Sequence, residues 1–462
     1  MAALARHRAS PPTSIPSAMT DSTQFPPDFT WGVATSAFQI EGAADLDGKG
    51  PSIWDTFSRN PANIKDGSNG DVACDHYHRY REDVGLMAGL GVDAYRFSMA
   101  WARVQPAGKG AWNEKGFDFY ARLLDALQEK GIAPHLTLYH WDLPQGLQDE
   151  GGWLARDTAY RFADYAEEVA RRFGDCLASI ATHNEPWCTA NLGYGNSQFA
   201  PGVTDAKQAI QVSHHLLLSH GLAMRAMRSL NPRAALGIVL NQWTSDPATD
   251  SEADRALAEL EWARSVQWFM DPILKGRYPE LALRAHGADA PQVAEGDLDI
   301  IQGPLDFLGV NYYFRHYASA ETPPRTAPAV LGTTDMGWEI YPQGLTELLL
   351  KLKDEYTLPP IYITENGMAS PDRVEAGQVS DTSRIRFVEQ HLAALKTAMD
   401  AGVDVRGYFM WSLMDNFEWN SGYAKRFGIY HVDYATQQRT PKASAHWYRD
   451  FVAAQRGQRR AA

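Results

Sequence analysis

Cysteine is scarce: Cys74, Cys176 and Cys188 are the only three in 462 residues. The number is odd and no C-x-x-C occurs, which argues against a disulfide framework or a structural zinc module. A reducing compartment, the cytoplasm, is therefore expected. Basic charge is also short, with 43 Lys and Arg against 56 Asp and Glu, a net charge of −13. A nucleic-acid or anionic-membrane partner needs a basic face to displace counterions, so neither is expected. No apolar run approaches the roughly 18 residues of a membrane span. A glycine-rich phosphate turn after the first apolar run is missing too, which weighs against an open doubly wound nucleotide fold.

The first 18 residues, MAALARHRASPPTSIPSA, carry Arg6, His7 and Arg8 but no acid, and lack the apolar centre of a signal peptide. Residues 1–24 read as a disordered extension, with Met19 an alternative initiator to Met1. Residues 25–455 read as one catalytic domain free of repeats or low-complexity segments, and 456–462 as a C-terminal tail. Aromatic residues are plentiful at 11%, including 14 Trp. Beyond filling a core, flat rings suit a site for a ligand with apolar faces and polar edges.

Short apolar runs recur at Trp31–Gln39, Ala94–Ser98, Ala133–His140, Ala178–His183, Ala234–Asn241, Leu305–Tyr313, Pro360–Thr364 and Val405–Ser412. Each reads as a buried parallel strand. Between them, apolar residues fall three or four apart over Tyr80–Gly89, Glu114–Lys130, Asp157–Arg172, Asp205–Leu230, Ser251–Phe269, Tyr341–Tyr356, Thr382–Ala401 and Pro441–Ala453. In the Thr382 segment Ile385, Val388, Leu392 and Leu395 share a face, Ser380 and Asp381 offer N-caps, and Gly402 a stop. Eight strands alternating with eight helices predict an α/β chain folded as a single (β/α)8 TIM barrel. The long irregular stretches, 40–75, 99–113, 141–156, 186–204, 314–340 and 413–440, follow strands. They are long βα loops on the face where barrel enzymes place their chemistry.

The strand ends are polar or aromatic although the runs before them are apolar: Gln39, Arg96, His140, Asn184 with Glu185, Asn311 with Tyr313, Glu365 and Trp411. Pro186 stops the fourth strand and holds Glu185 at the rim. The Asn366-Gly367 turn signal does the same for Glu365. Strands four and seven oppose each other across a barrel mouth, so the two carboxyls can face each other. A retaining glycosidase needs such a pair about 5–5.5 Å apart, one protonated and one ionised. Arg96 is expected to keep Glu365 anionic. Glu185, with no cation nearby in sequence, is expected to have a raised pKa.

At these residues the chain resembles the glycoside hydrolase family 1 β-glucosidases, over roughly Phe25 to Phe451. The resemblance rests on TSAFQIEGA, YRFSMAWARV, LYHWDLPQGL, GGW at 151–153, THNEPW, LGVNYY, YITENG, YFMWSLMDNFEW and KRFGIYHVDY, in that order. It implies that Glu185 is the acid/base and Glu365 the nucleophile, and that Gln39, His140, Asn184, Trp411, Glu418 and Trp419 bind the sugar. Asn311 and Tyr313 match positions lining the site or supporting the nucleophile, and Arg96 one supporting it. The implied activity is hydrolysis of terminal β-D-glucosyl residues, with β-galactosides or β-fucosides as further substrates. Aryl and alkyl glucosides and cello-oligosaccharides are the implied partners, and no cofactor or metal is needed. A homo-oligomer is left open.

Members acting on 6-phosphorylated sugars carry a Ser-type pattern near the end of strand eight. Here Glu418 stands there and would repel a phosphate dianion, although Tyr423 and Lys425 keep a fragment of the phosphate-type pattern. A 6-phospho-β-glucosidase and a non-catalytic sugar-binding barrel are the alternative readings. A Schiff-base aldolase would need a lysine at a strand end, but Lys130, Lys207, Lys351 and Lys396 fall on helices or loops. A metal hydrolase would need His76, His78, His214 or His215 to converge with carboxylates. The departures from the family pattern are Phe38 for Tyr, Gln198-Phe199 where His is frequent, and Phe314 where a small polar residue is usual. Phe314 bears on the aglycone side.

Overall fold

The computed structural model describes residues 24–325 and 329–459. The expected N-terminal extension, with Met1 and Met19, lies outside the described residues apart from Gln24.

The strands are β1 Thr30–Ala34, β2 Ala94–Ser98, β3 Ala133–Tyr139 and β4 Ser179–Asn184, then β5 Ala235–Asn241, β6 Phe307–Asn311, β7 Ile361–Asn366 and β8 Val405–Trp411. They close a barrel in the order β1-β8-β7-β6-β5-β4-β3-β2, all pairs parallel. β2, β4 and β6 are buried at every residue. Both faces of a barrel strand are covered, by the interior and by helices, which is why the sequence shows apolar runs rather than alternation. Inside, the Phe409 ring packs on Gly32, where an added Cβ would lie 2.4 Å from Cδ1; only glycine permits that approach.

The helices Glu114–Glu129 and Asp157–Phe173 turn Phe119, Leu123 and Leu127, and Phe162, Tyr165 and Val169, onto the barrel's outer face. Asp205 caps the helix Ala206–Ser229, accepting from the Lys207 and Gln208 amides at 3.0 and 3.1 Å.

Several boundaries and caps differ from the sequence reading. β1 stops at Ala34, and Gln39 sits in a short helix, Ala37–Ile40. The Ala37 amide donates to Ser98 Oγ at 2.7 Å, which turns the chain out of the strand. The segment expected as Ser251–Phe269 is Glu252–Trp262, a π turn Ala263–Gln267 and a second helix, Trp268–Lys275. The N-cap at Asp381 makes no side-chain cap bond. Its carboxylate is taken by the Ser444 amide at 2.8 Å and by Arg384 instead. The last helix, Ala443–Arg459, runs past the expected helix end at Ala453 and into the segment read as a tail from 456.

The loop after β8 is anchored by a buried ionic network. Lys442 reaches Asp415 at 2.6 Å and Asp372 at 2.5 Å, Arg426 reaches Asp415 at 2.6 Å, and Arg384 reaches Asp372 at 2.7 Å. Removing one partner of such a network strands a buried charge. The network therefore sets the path of the segment that carries Asn416 to Trp419.

Candidate active site

One cavity of about 1000 Å³ opens at the C-terminal ends of the strands, and His140, Glu185, Asn311, Tyr313, Glu365, Trp411, Glu418 and Trp419 all line it. Glu185 follows β4 directly, at φ 48°. Trp141 and Trp419 also hold positive φ, at 80° and 48°, so three of the non-glycine residues in the left-handed region cluster here. Such conformations persist where surrounding structure over-determines them. The β4/β5 pairing slips in register between Ala181 and Asn184, and β6/β7 between Val310 and Asn311. Irregularities of this kind re-aim side chains at a strand end.

Asn311 joins the two carboxyls. It pairs with Glu365 across β6 and β7. Its amide donates to Glu185 Oε1 at 2.6 Å and to Asn184 Oδ1 at 3.1 Å, and its own oxygen accepts from Thr364 at 2.7 Å. Arg96 Nη1 donates to Glu365 Oε1 at 2.6 Å, and Nη2 to Asn184 Oδ1 at 2.6 Å. The Tyr313 hydroxyl donates to Glu365 Oε2 at 2.7 Å. Cys188 Sγ lies 3.2 Å from Glu185 Oε2 and donates to it.

These surroundings separate the two carboxyls. Burial, reinforced by the charge of Glu365, pushes Glu185 up to about 8. Burial raises Glu365 as well, a net direction opposite to the sequence expectation, while the Arg96 guanidinium and the Tyr313 hydroxyl oppose it. The direct ion pair is what distinguishes Glu365 from Glu185, whose contacts are an amide and a thiol. Glu418 is also pushed up to about 8, by burial and then by the charges of Glu365 and Glu185.

The remaining predicted residues meet around the same cavity. Gln39 Nε2 donates to Asn416 Oδ1 and to the Phe417 carbonyl, both at 2.9 Å, and faces Glu418 Oε2 at 3.4 Å. The Asn184 amide donates to His140 Nε2 at 3.0 Å. Burial keeps His140 neutral, so the proton sits on Nδ1. The Trp411 and Trp419 rings lie nearly parallel to the His140 ring, at 5.9 Å and 5.8 Å. Phe38 stacks on Trp419 at 6.2 Å.

Three contributors were not singled out in the sequence. Trp141 Nε1 donates to the Asn184 carbonyl at 2.9 Å; its signal was adjacency to His140. Cys188 stands one helical turn after Glu185, where Pro186 opens a short helix. Asn416 orients Gln39 from 377 positions away, a contact with no local signal. Elsewhere, His76 pairs with Asp83 at 2.7 Å and His214 with Asp297 at 2.9 Å. Among the described residues no group of three or more His, Cys, Asp or Glu could hold a metal ion, and no helix is long and apolar enough to cross a membrane.

The model of glycosyl hydrolase family 1 matches residues 21–457. A β-glucosidase A from Acetivibrio thermocellus is 46% identical, over 93% of this chain and 98% of that one. A bifunctional β-D-glucosidase/β-D-fucosidase from Bifidobacterium breve is 45% identical, with 93% and 98% covered. A solved structure of the Thermotoga maritima family 1 glycoside hydrolase, complexed with a cyclophellitol-analogue transition-state mimic, superposes with a TM-score of 0.91 at 44% identity, covering 94% of this chain and 99% of that one.

Proposed function

The chain belongs to glycosyl hydrolase family 1, and on that premise we propose that it is a retaining β-glucosidase with Glu365 as nucleophile and Glu185 as acid/base. The observation that carries the division of labour is the asymmetry of the two carboxyls around Asn311. Glu365 is paired with Arg96 and is the one able to ionise; Glu185, raised to about 8, keeps its proton at neutral pH.

In the first step Glu365 attacks the anomeric carbon. The bond to the leaving oxygen breaks, and that oxygen takes the Glu185 proton. The Asn311 amide and the Cys188 thiol then hold the Glu185 carboxylate. In the second step Glu185 removes a proton from water, which attacks the glycosyl-enzyme and releases the sugar with its β configuration retained. Gln39, Glu418, His140 and Asn184 are placed to meet the glucosyl hydroxyls, and Trp411 and Trp419 offer ring faces to its C–H surface. β-Galactosides and β-fucosides are side substrates, and cello-oligosaccharides are cleaved from the non-reducing end. The barrel at 25–455 is the catalytic unit. The free cysteines Cys74, Cys176 and Cys188 fit a cytoplasmic setting.

The phosphorylated-sugar reading is disfavoured by the partners of its residues. Lys425 pairs with Asp335 at 2.9 Å, and the Tyr423 hydroxyl donates to the Asn69 carbonyl at 2.8 Å. The non-catalytic reading is disfavoured by the retention of both carboxyls. Incubation with a 2-deoxy-2-fluoro-β-glucoside should leave a glycosyl adduct on the peptide containing Glu365, read by mass spectrometry. Glu365→Ala should give neither adduct nor hydrolysis; turnover by that variant would remove Glu365 as nucleophile.

A further inference from the structure

Resting on that reading, the proton that Glu185 donates must sit on one of two carboxyl oxygens, and the surrounding amides decide which. Arg96 carries only donors, so the atom of Asn184 that meets Nη2 at 2.6 Å is its oxygen. The same oxygen lies 3.1 Å from Asn311, which must therefore present its amide nitrogen. That nitrogen also reaches Glu185 Oε1 at 2.6 Å, and it cannot accept. Oε1 is thus the bare acceptor in either state of the carboxyl, and the proton lies on Oε2.

The protein group bonded to Oε2 is the Cys188 thiol, 3.2 Å away. Pro186 opens a single turn, closed by the Cys188 amide on the Glu185 carbonyl at 2.9 Å, which folds the sulfur back onto the carboxyl. The Asn241 amide donates to the same sulfur at 3.7 Å. With that lone pair used, the S–H is left to point at Oε2. Burial and the charge of Glu185 hold the thiol well above its usual range, so it keeps its own proton when Glu185 loses one. A donor binds a charged oxygen more strongly than a neutral one, so this contact favours the ionised form of Glu185. The other charged or titratable groups around Glu185 are Glu365 on β7, Arg96 on β2, Tyr313 beyond β6 and Glu418 beyond β8. Among the described residues none of these is bonded to Oε2. We infer that Cys188 is a positioning residue for the acid/base: its thiol meets the oxygen that carries the catalytic proton and eases release of that proton to the leaving oxygen.

The test is the alkaline limb of kcat/KM against pH for phenyl β-glucoside. Cys188→Ala removes the donor and should move the limb upward by roughly 0.5–1 in pH, the scale of a weak bond to a charged oxygen. Cys188→Ser supplies a hydroxyl donor and should return the limb toward its wild-type position. A side chain that merely fills space would change stability and leave the limb alone. A limb that stays in place or moves down in Cys188→Ala, or that moves equally far up in Cys188→Ser, would overturn the inference. A second measurement leaves the site intact and uses Cys176→Ser, which loses only the exposed thiol. As pH rises through the limb, one S–H infrared band should shift to lower frequency as the thiol comes to face a carboxylate; bands fixed throughout would overturn the inference. An alkaline limb that survives in Glu185→Gln would sink the acid/base reading itself. A limb lost in Glu185→Gln but unmoved in the Cys188 variants would sink this inference alone.

Discussion

Arg96 grips Glu365 Oε1 through Nη1 at 2.6 Å while its other terminal nitrogen grips Asn184 Oδ1 at the same distance. One guanidinium thus holds the residue beside Glu185, the proposed acid/base, and supplies a counter-charge to Glu365, the proposed nucleophile.

Arg96→Met tests the counter-charge. Without it, burial raises Glu365 further, and Glu365 must be ionised to attack. The acidic limb of the pH dependence of kcat/KM should move to higher pH, and activity should fall roughly 10²–10³-fold. An acidic limb that stays in place would show that Arg96 does not set the charge on Glu365.

Glu185→Gln tests the acid. In wild type the rate should fall on the alkaline side as Glu185 loses its proton near pH 8. The variant should lack that limb. Its rates on substrates with poor leaving groups should drop about 10²–10⁴-fold, and far less on activated aryl glucosides. Equal losses on both would contradict an acid role.

Glu418→Gln tests linkage. The folded-state pKa of Glu418, about 8, lies above its ordinary 4.5, so between these values the native state holds a proton that the unfolded chain has released. Stability from this group is full below pH 4.5 and lost as pH rises to about 8. The variant should melt on the order of a few °C above wild type at pH 8 and close to it at pH 4.5. Calorimetry across that range showing parallel curves would refute the burial argument.

Lys442→Met tests the anchor of the loop after β8. It leaves Asp415 and Asp372 without the cation that joins them. Chemical denaturation should show a loss of about 3–5 kcal/mol. Activity per folded molecule should fall as well, since the same segment carries Glu418 and Trp419. A stable, fully active variant would mean that Arg426 and Arg384 suffice.

The barrel was legible because strands buried on both faces carry apolar runs, and Ile361–Ile363 or Tyr408–Trp411 can be read as such without coordinates. The same rule misled at β1. The run was read as a strand as far as Gln39, but the chain has turned into a helix by Ala37, where the Ala37 amide donates to the distant Ser98 Oγ. Helix termini were less legible still: Asp381 has the chemistry of a cap, yet Ser444 and Arg384 bind it more directly.

Residue type, order and strand position alone determined the architecture, the family resemblance and which carboxyls to examine, since these follow from local pattern and from motif. What the tertiary structure decided is the electrostatic arrangement. That Asn311 bridges the carboxyls, that Cys188 faces Glu185, and that burial outweighs Arg96 in setting the direction for Glu365 all depend on atoms brought together from distant strands. A pKa reports distance and desolvation, and neither is defined until the barrel closes.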